Sequence, residues 1–282
     1  MIDLFLDPIK FRFMQNAFVV AIIISVPTSM LSCYLVLKGW SLMGDAISHA
    51  VLPGIILAYI FKIPLIIGAF TAGLFCSLAS AFISENSRIK KDTVLGVVFS
   101  GMFGIGLVLI TKVSTNLHLD HILFGNILGI TNENLALTIS ISLFVSFFLF
   151  IKRKDLMLFS FDEIQSNVLG ISNKFLNFIL ISLTSITVVA TLSSVGIILS
   201  IGLLITPGAI VFLLTKKFDQ MIILSILITS LSAFFGVYIS FFLDSSPAPT
   251  IILILSCIFF GTLIIKMAYK REFRKKFFNK IN

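Results

Sequence analysis

The sequence predicts an all-α fold, a polytopic transmembrane helical bundle of about eight or nine membrane segments without a soluble domain. Hydrophobic residues make up 58% of the chain and charged residues only 12%, whereas a soluble domain carries roughly twice that charged fraction. Apolar stretches of about 20 residues, long enough to cross a bilayer, follow one another along the chain. The polar stretches between them are short, so we treat residues 1–282 as one transmembrane domain.

Short connections join the candidate spans. Segment 42–61 contains an aspartate and a histidine, and the run 175–215 is long enough for two crossings. We divide that run at Ser193–Gly196, while eight crossings plus one re-entrant or interfacial segment is an open alternative. In chain order the predicted spans are 17–37, 42–61, 64–84, 93–113, 134–151, 175–194, 196–215, 220–243 and 249–268.

Basic residues cluster in alternate connections. If all nine segments cross, Arg88–Lys91, Lys152–Lys154, Lys216–Lys217 and the basic tail 269–282 fall on one side. Loops rich in lysine and arginine face the cytosol, so we expect a cytosolic C-terminus. An odd number of crossings puts the N-terminus outside, although two basic residues near it favour the reverse. Anionic membrane lipid accounts for the basic tail, so we predict no nucleic-acid partner.

Asp45 and His49 are the residues most indicative of function. They are four apart on one face of a predicted helix, and ionisable groups inside a membrane are functional candidates because burying them is costly. A carboxylate and an imidazole together suit manganese, iron and zinc. Pro53 lacks an N–H and leaves the His49 carbonyl without its helical donor. The alternative is an Asp–His hydrogen bond that only packs helices or lies at the interface.

A second polar cluster lies in the connection between the fourth and fifth predicted spans. His118 and His121 are three apart with Asp120 between them, so the two histidines share a face if this stretch is helical. On the predicted orientation the cluster is outside, where it would first receive a metal ion. An interfacial helix with its polar groups among lipid headgroups explains the pattern equally well.

The connection 152–174 contains a short predicted helix. Ser160 or Asp162 would cap its start, next to Phe161, and Gly170 would end it. Such a helix could dock on a soluble partner, although the residues alone favour an ordinary connecting loop. In a later span, Pro207 predicts a kink that is either a gate or a packing feature.

The chain contains no Gly-x-x-x-x-Gly-Lys-Ser/Thr run, so it has no nucleotide-binding loop of that kind. If transport consumes ATP, a separate subunit must supply it. The chain is therefore predicted to be a transport subunit and not an enzyme, with no permanently bound cofactor.

The motifs, taken in the order in which they occur along the chain, resemble those of the permease subunits of ATP-binding-cassette importers for manganese, iron and zinc. The resemblance covers essentially the whole chain and is strongest to the second inner-membrane permease of the enterobacterial iron/manganese systems. The segments that carry it are Leu35–Trp40, Gly44–Ala50, Asp92–Phe99, Asp120–Asn126 and Tyr238–Asp244, with Phe13–Ala17, Asn86–Lys90 and Ser246–Thr250 typical of that subgroup.

The resemblance implies a location in the bacterial inner membrane and a set of partners. Two permeases, identical or homologous, would pair with cytosolic ATP-binding subunits, and a periplasmic or lipoprotein receptor would deliver the metal. The metal would pass Asp45 and His49, and the segment from Asp162 to Gly170 would engage the ATPase. Two protomers would together form a four-ligand site.

We therefore expect an importer of Mn²⁺ or Fe²⁺, with a zinc importer of the same family as the alternative. A rival from another class is a proton-coupled secondary carrier, in which Asp45 and His49 would move protons. The residue types alone do not select the metal, since all three ions accept nitrogen and oxygen ligands.

Overall fold

The computed structural model describes residues 7–112, 125 and 127–278, and the chain there is helical, with no strand among these residues. Eight of the helices in this part are long and apolar enough to cross a membrane, as the composition predicts. The helix bounds are α1 Arg12–Lys38, α2 Met43–Ile60, α3 Leu65–Glu85, α4 Lys91–Lys112, α5 Asn132–Ile151, α6 Arg153–Phe161, α7 Glu163–Val168, α8 Asn173–Leu214, α9 Phe218–Phe242 and α10 Pro247–Phe278.

Helix α1 lies at the centre of the bundle. It packs against α5, α8 and α9 and also contacts the short helix α6. Its buried residues, from Met14 near the start to Leu35 near the end, take part in both hydrophobic clusters of the core. Burial of apolar side chains along most of its length makes α1 the helix around which the others are arranged.

Helices α2, α3 and α4 form a second group, which packs on α8. The α2 and α3 backbones approach closely where Gly54 faces Gly68, because a Cβ added to Gly54 would lie 2.1 Å from the Gly68 carbonyl oxygen. Small residues permit such close helix crossings in membranes. The crossing holds α2 in place along its second half.

Helix α8 reverses direction at Gly196. Gly196 has φ 83° and ψ 175°, and the Thr191 and Ser200 hydroxyl oxygens lie 2.6 Å apart. In a straight helix those two residues would be separated by about 13.5 Å along the axis, so α8 folds back on itself. Gly125 packs against the bend, since a Cβ there would lie 2.3 Å from the Gly196 nitrogen. The reversal occurs where the sequence predicts the division of this run.

Contacts between the connecting segments show that the ends of several helices lie together on one side of the bundle. We call this side the basic side. Trp40, Glu85 and Asn173 line one cavity of about 470 Å³ there, and Arg153 pairs with Asp219 at 3.4 Å. The end of α1, the α3–α4 connection, the residues between α5 and α8 and the start of α9 are therefore on this side. It also holds the lysines and arginines of those connections.

The remaining ends meet on the opposite side. Phe13, Ile127 and Ser245 line a cavity of about 610 Å³ that brings together the start of α1, the residues before α5 and the α9–α10 connection. Because both ends of α8 are on the basic side and its bend at Gly196 is on the opposite side, α8 passes through the bundle twice. The described helices thus pass nine times between the two sides.

Candidate metal site

Helix α2 begins at Met43 and places Asp45 in its first turn, where the positive end of the helix dipole favours a carboxylate. His49 follows one turn later, and its Nε2 atom lies 3.4 Å from Asp45 Oδ1. The pair predicted from the spacing therefore shares one helix face. The distance is longer than a good hydrogen bond, so both groups have capacity for another partner.

The two side chains remain partly accessible on a helix that is otherwise largely buried. Asp45 is 30% exposed and His49 is 28% exposed, whereas the intervening Ser48 is buried and its hydroxyl donates to the Gly44 carbonyl. A Cβ added to Gly44 would lie 2.7 Å from a Leu204 methyl group. One face of α2 is thus closed by α8, and the Asp45–His49 face is left accessible.

Helix α4 supplies the wall beside the histidine. The His49 ring lies 5.9 Å from Phe99 in a stacked arrangement and 5.2 Å from Phe103 in an edge arrangement, measured between ring centroids. These contacts restrict the orientation of the imidazole ring. The sequence analysis assigned neither phenylalanine to the site, since nothing in their spacing connects them to α2.

The described part of the chain contains no group of three or more His, Cys, Asp or Glu side chains able to hold a metal ion. Asp45 and His49 supply one oxygen ligand and one nitrogen ligand, whereas tetrahedral zinc takes four ligands and octahedral sites take six. The residues described here in one protomer therefore complete only part of a coordination shell. Water, a backbone oxygen or a second subunit would have to supply the rest.

The two prolines singled out in the sequence lie inside helices α2 and α8. Pro53 is buried, and α2 continues through it to Ile60. Near Pro207, the Ser32 hydroxyl of α1 accepts from the Gly208 N–H at 2.8 Å and donates to the Ile205 carbonyl at 3.2 Å. Ser32 thus bonds to the α8 backbone on both sides of Pro207, and α8 continues through this residue to Leu214.

The connection between α5 and α8 contains two short helices, α6 and α7. Asp162 caps α7, because its Oδ1 accepts from the Ile164 and Gln165 N–H groups. Gly170, with φ 77°, terminates the segment as the sequence predicts. Ser160 is not the cap, since its hydroxyl donates to the Leu156 carbonyl.

The segment around α7 presents apolar side chains to the solvent. Ile164 is 79% exposed and Val168 is 80% exposed, and Phe161 and Leu169 are also exposed. These four residues, which we call the apolar surface of α7, lie beyond the ends of the long helices on the basic side. The sequence analysis singled out Phe161 by name and included the other three only as part of the segment from Asp162 to Gly170.

The predicted cluster of His118, Asp120 and His121 lies outside the described residues. The next described residues, Gly125 and Ile127, are on the opposite side of the bundle, against the bend of α8 and the second cavity.

Comparisons with known proteins identify relatives over nearly the whole length. A model of the ABC 3 transport family matches residues 10–266. YfeD, a chelated iron transport system membrane protein of Yersinia pestis, is 50% identical over 258 residues, which cover 92% of this chain and 87% of YfeD. MntB, a manganese transport system membrane protein of Synechocystis, is 41% identical over 273 residues, which cover 96% of this chain and 89% of MntB.

Among solved structures, the fold is similar to that of PsaBC from Streptococcus pneumoniae in complex with Fab. The TM-score is 0.83 at 34% sequence identity, and the match covers 93% of this chain and 95% of that chain.

Proposed function

Since the chain belongs to the ABC 3 transport family and is a membrane permease subunit of an ATP-driven metal importer, we propose that it moves Mn²⁺ or Fe²⁺ past Asp45 and His49. The observation that carries this proposal is the partly exposed carboxylate–imidazole pair, 3.4 Å apart on a largely buried helix. Relatives named for iron and for manganese transport support these two ions. The metal is the cargo, so the site must bind it well enough to desolvate it and weakly enough to release it.

The orientation follows from the positive-inside rule. The connections 85–91, 152–172 and 215–217 all lie on the basic side and contain lysine or arginine, so this side faces the cytoplasm of the bacterial inner membrane. The start of α1 then faces outward, and the basic C-terminal tail is cytosolic. Lys10 and Arg12, which argued for the reverse, are outweighed by the larger number of charges on the basic side.

The ATP-binding subunit docks on the apolar surface of α7. On the proposed orientation this surface faces the cytosol, where exposed apolar residues mark a protein contact. Asp162 and Gly170 contribute by fixing the two ends of the α7 segment, while Phe161 is part of the contact. ATP hydrolysis itself belongs to the separate subunit.

Two further partners complete the importer. A second permease, identical or homologous, supplies another Asp–His pair and so a four-ligand site. An external receptor, periplasmic or lipoprotein, delivers the ion to the opposite side of the bundle. His118, Asp120 and His121 are candidates for receiving it there.

Transport by the complete complex in lipid vesicles tests this function. We expect uptake of Mn²⁺ or Fe²⁺ that requires ATP and the receptor, together with metal-stimulated ATP hydrolysis. Assays with Mn²⁺, Fe²⁺ and Zn²⁺ in parallel identify the preferred ion. Uptake by the permease alone, driven by a pH gradient without any ATPase subunit, would instead support the proton-coupled carrier.

A further inference from the structure

Lys38, at the end of α1, has a side chain that is only 4% exposed. Its Nζ atom forms an ion pair with Glu163 Oε1 of α7, and it lies 3.2 Å from the centroid of the Phe159 ring of α6. A buried ammonium group is costly unless it is paired, and the face of an aromatic ring also attracts it. Lys38 therefore joins the central helix to both short helices of the cytosolic connection.

The same lysine contacts the turn from which α2 begins. Lys38 Nζ lies 5.1 Å from the Trp40 ring centroid, and Trp40 is buried. The chain can turn here because Gly39 is left-handed, with φ 69°. The Trp40 N–H donates to the Leu35 carbonyl at 2.8 Å, and its carbonyl accepts from the Met43 N–H at 3.0 Å. Trp40 is thus bonded directly to the first residue of α2.

Asp45 follows Met43 by two residues in the first turn of α2. A displacement of Lys38 would therefore reach the metal-binding turn through Trp40 and Met43. We call Lys38, Trp40, Phe159 and Glu163 the Lys38 clamp.

The other end of the clamp is part of the segment that presents the apolar surface of α7. Glu163 is the first residue of α7, and its carbonyl accepts from Asn173 Nδ2 at 2.6 Å. Ile164, the next residue, is exposed and lies on the proposed contact with the ATPase. One short helix thus carries both the docking surface and the ion pair to Lys38.

We propose that Lys38 is a positioning residue that transmits movement of α7 to the start of α2, so that ATP hydrolysis is coupled to the metal site. This inference rests on the proposed function. Lys38 contacts neither ATP nor the metal ion, and acts by keeping α6, α7 and the Trp40 turn in one unit. Without its ammonium group, α7 would move on ATP hydrolysis while α2 follows less completely.

The test is the number of Mn²⁺ ions imported per ATP hydrolysed, measured with the complete complex and Mn²⁺-loaded receptor in lipid vesicles. Lys38→Met retains apolar contacts with the two rings and removes the charge. We expect this ratio to fall by about fivefold or more while ATP hydrolysis continues. A factor of about five is the lower end of the effect that allosteric coupling between two sites usually has on affinity. Lys38→Arg, which keeps the cation, is expected to retain most of the wild-type ratio.

Two further variants separate coupling from folding. Glu163→Gln changes a side chain that is more than half exposed, so the complex should assemble and show the same direction of change. Lys152→Met removes another lysine of the same connection, whose ion pair among the described residues is with Asp155 of its own segment at 3.1 Å. It is expected to leave the ratio unchanged.

The outcomes distinguish this inference from the proposed function. A wild-type complex that hydrolyses ATP but imports neither Mn²⁺ nor Fe²⁺ contradicts the proposed function. A wild-type complex that imports Mn²⁺, with an unchanged ratio for Lys38→Met, contradicts the role of Lys38 alone. If Lys38→Met does not assemble, Glu163→Gln decides, and an unchanged ratio in that variant overturns the inference.

Discussion

At the scale of single residues, the metal-site hypothesis depends on two side chains that stay accessible while their neighbours on α2 are buried. Asp45 and His49 are partly exposed although α8 packs on α2 at Gly44, and the imidazole is held against Phe99 and Phe103. Fixing the ring reduces the conformational freedom that is lost when it binds a metal ion. The accessible face is then available for a ligand or a second subunit.

His49→Ala removes the nitrogen ligand. We expect ATP-driven Mn²⁺ uptake to fall by about tenfold or more, since even the outer partners of metal ligands change affinity by about 10–100-fold. Uptake into vesicles that contain the purified complex measures the effect. Ser48→Ala is the matched control, because Ser48 lies on the same turn and its hydroxyl donates to the Gly44 carbonyl of its own helix. Normal uptake by an assembled His49→Ala complex would exclude this residue from the metal path.

At the scale of helices, the bend of α8 depends on a backbone conformation that is essentially restricted to glycine. Gly196 has φ 83° and ψ 175°, and the bend is also packed against Gly125. The hydroxyl contact between Thr191 and Ser200 then joins the two halves of the hairpin. Helix α8 thus makes two passes with no separate connecting loop.

Gly196→Ala should destabilise the bend. Forcing a non-glycine residue into this region costs about 1–3 kcal/mol, so we expect a lower thermal midpoint for the purified protein in detergent. Gly101→Ala is the control, because a Cβ there meets no described atom within 4 Å and alanine favours the helix. Equal midpoints for the two variants would contradict the strain argument.

Helix α7 combines a locally determined shape with an apolar surface. The side chain of Asp162 satisfies the first N–H groups, and Gly170 allows the chain to leave the segment, so the helix forms without extensive burial. Its exposed apolar residues are consequently free to contact a partner.

Ile164→Glu places a charge in that surface. We expect the affinity for the ATP-binding subunit to fall by about tenfold or more, as is usual when a central apolar contact is lost, and co-purification or a direct binding assay measures this. Lys154→Glu, an exposed change in α6 of the same connection, is expected to have a smaller effect. If both variants bind the ATPase as the wild type does, α7 is not the docking helix.

At the scale of the whole molecule, the contacts between connections define two sides and an odd number of passes. The start of α1 and the end of α10 must then lie on different sides of the membrane. On the proposed orientation the basic side faces the cytosol, as the positive-inside rule favours, and the C-terminal end of α10 is then cytosolic and the start of α1 external.

Cysteine labelling in cells tests this topology. In a variant without the native cysteines, we expect Ser246→Cys to react with a membrane-impermeant maleimide added to spheroplasts. Asn86→Cys, on the basic side, should react only after lysis. Both positions are exposed, so a difference in labelling reports the side of the membrane. The reversed pattern would invert the orientation.

Local sequence determined the features that depend on neighbouring residues. The apolar lengths predicted the long helices, the i, i+4 spacing put Asp45 and His49 on one face, and Asp162 and Gly170 marked the ends of the α7 segment. The glycine at position 196 similarly predicted where the run 175–215 divides. In each case the physical cause acts within one or two turns of the chain, so it can be recognised without the tertiary structure.

Only the tertiary structure decided which distant residues meet. The ion pair between Lys38 and Glu163 spans 125 positions, and the Ser32 bonds near Pro207 span more than 170 positions. The contacts between connecting segments were likewise needed to place the start of α1 on the side opposite the basic side. Such contacts follow from packing, because many apolar helices of similar composition could pair in several ways until interlocking side chains and close backbone crossings select one arrangement.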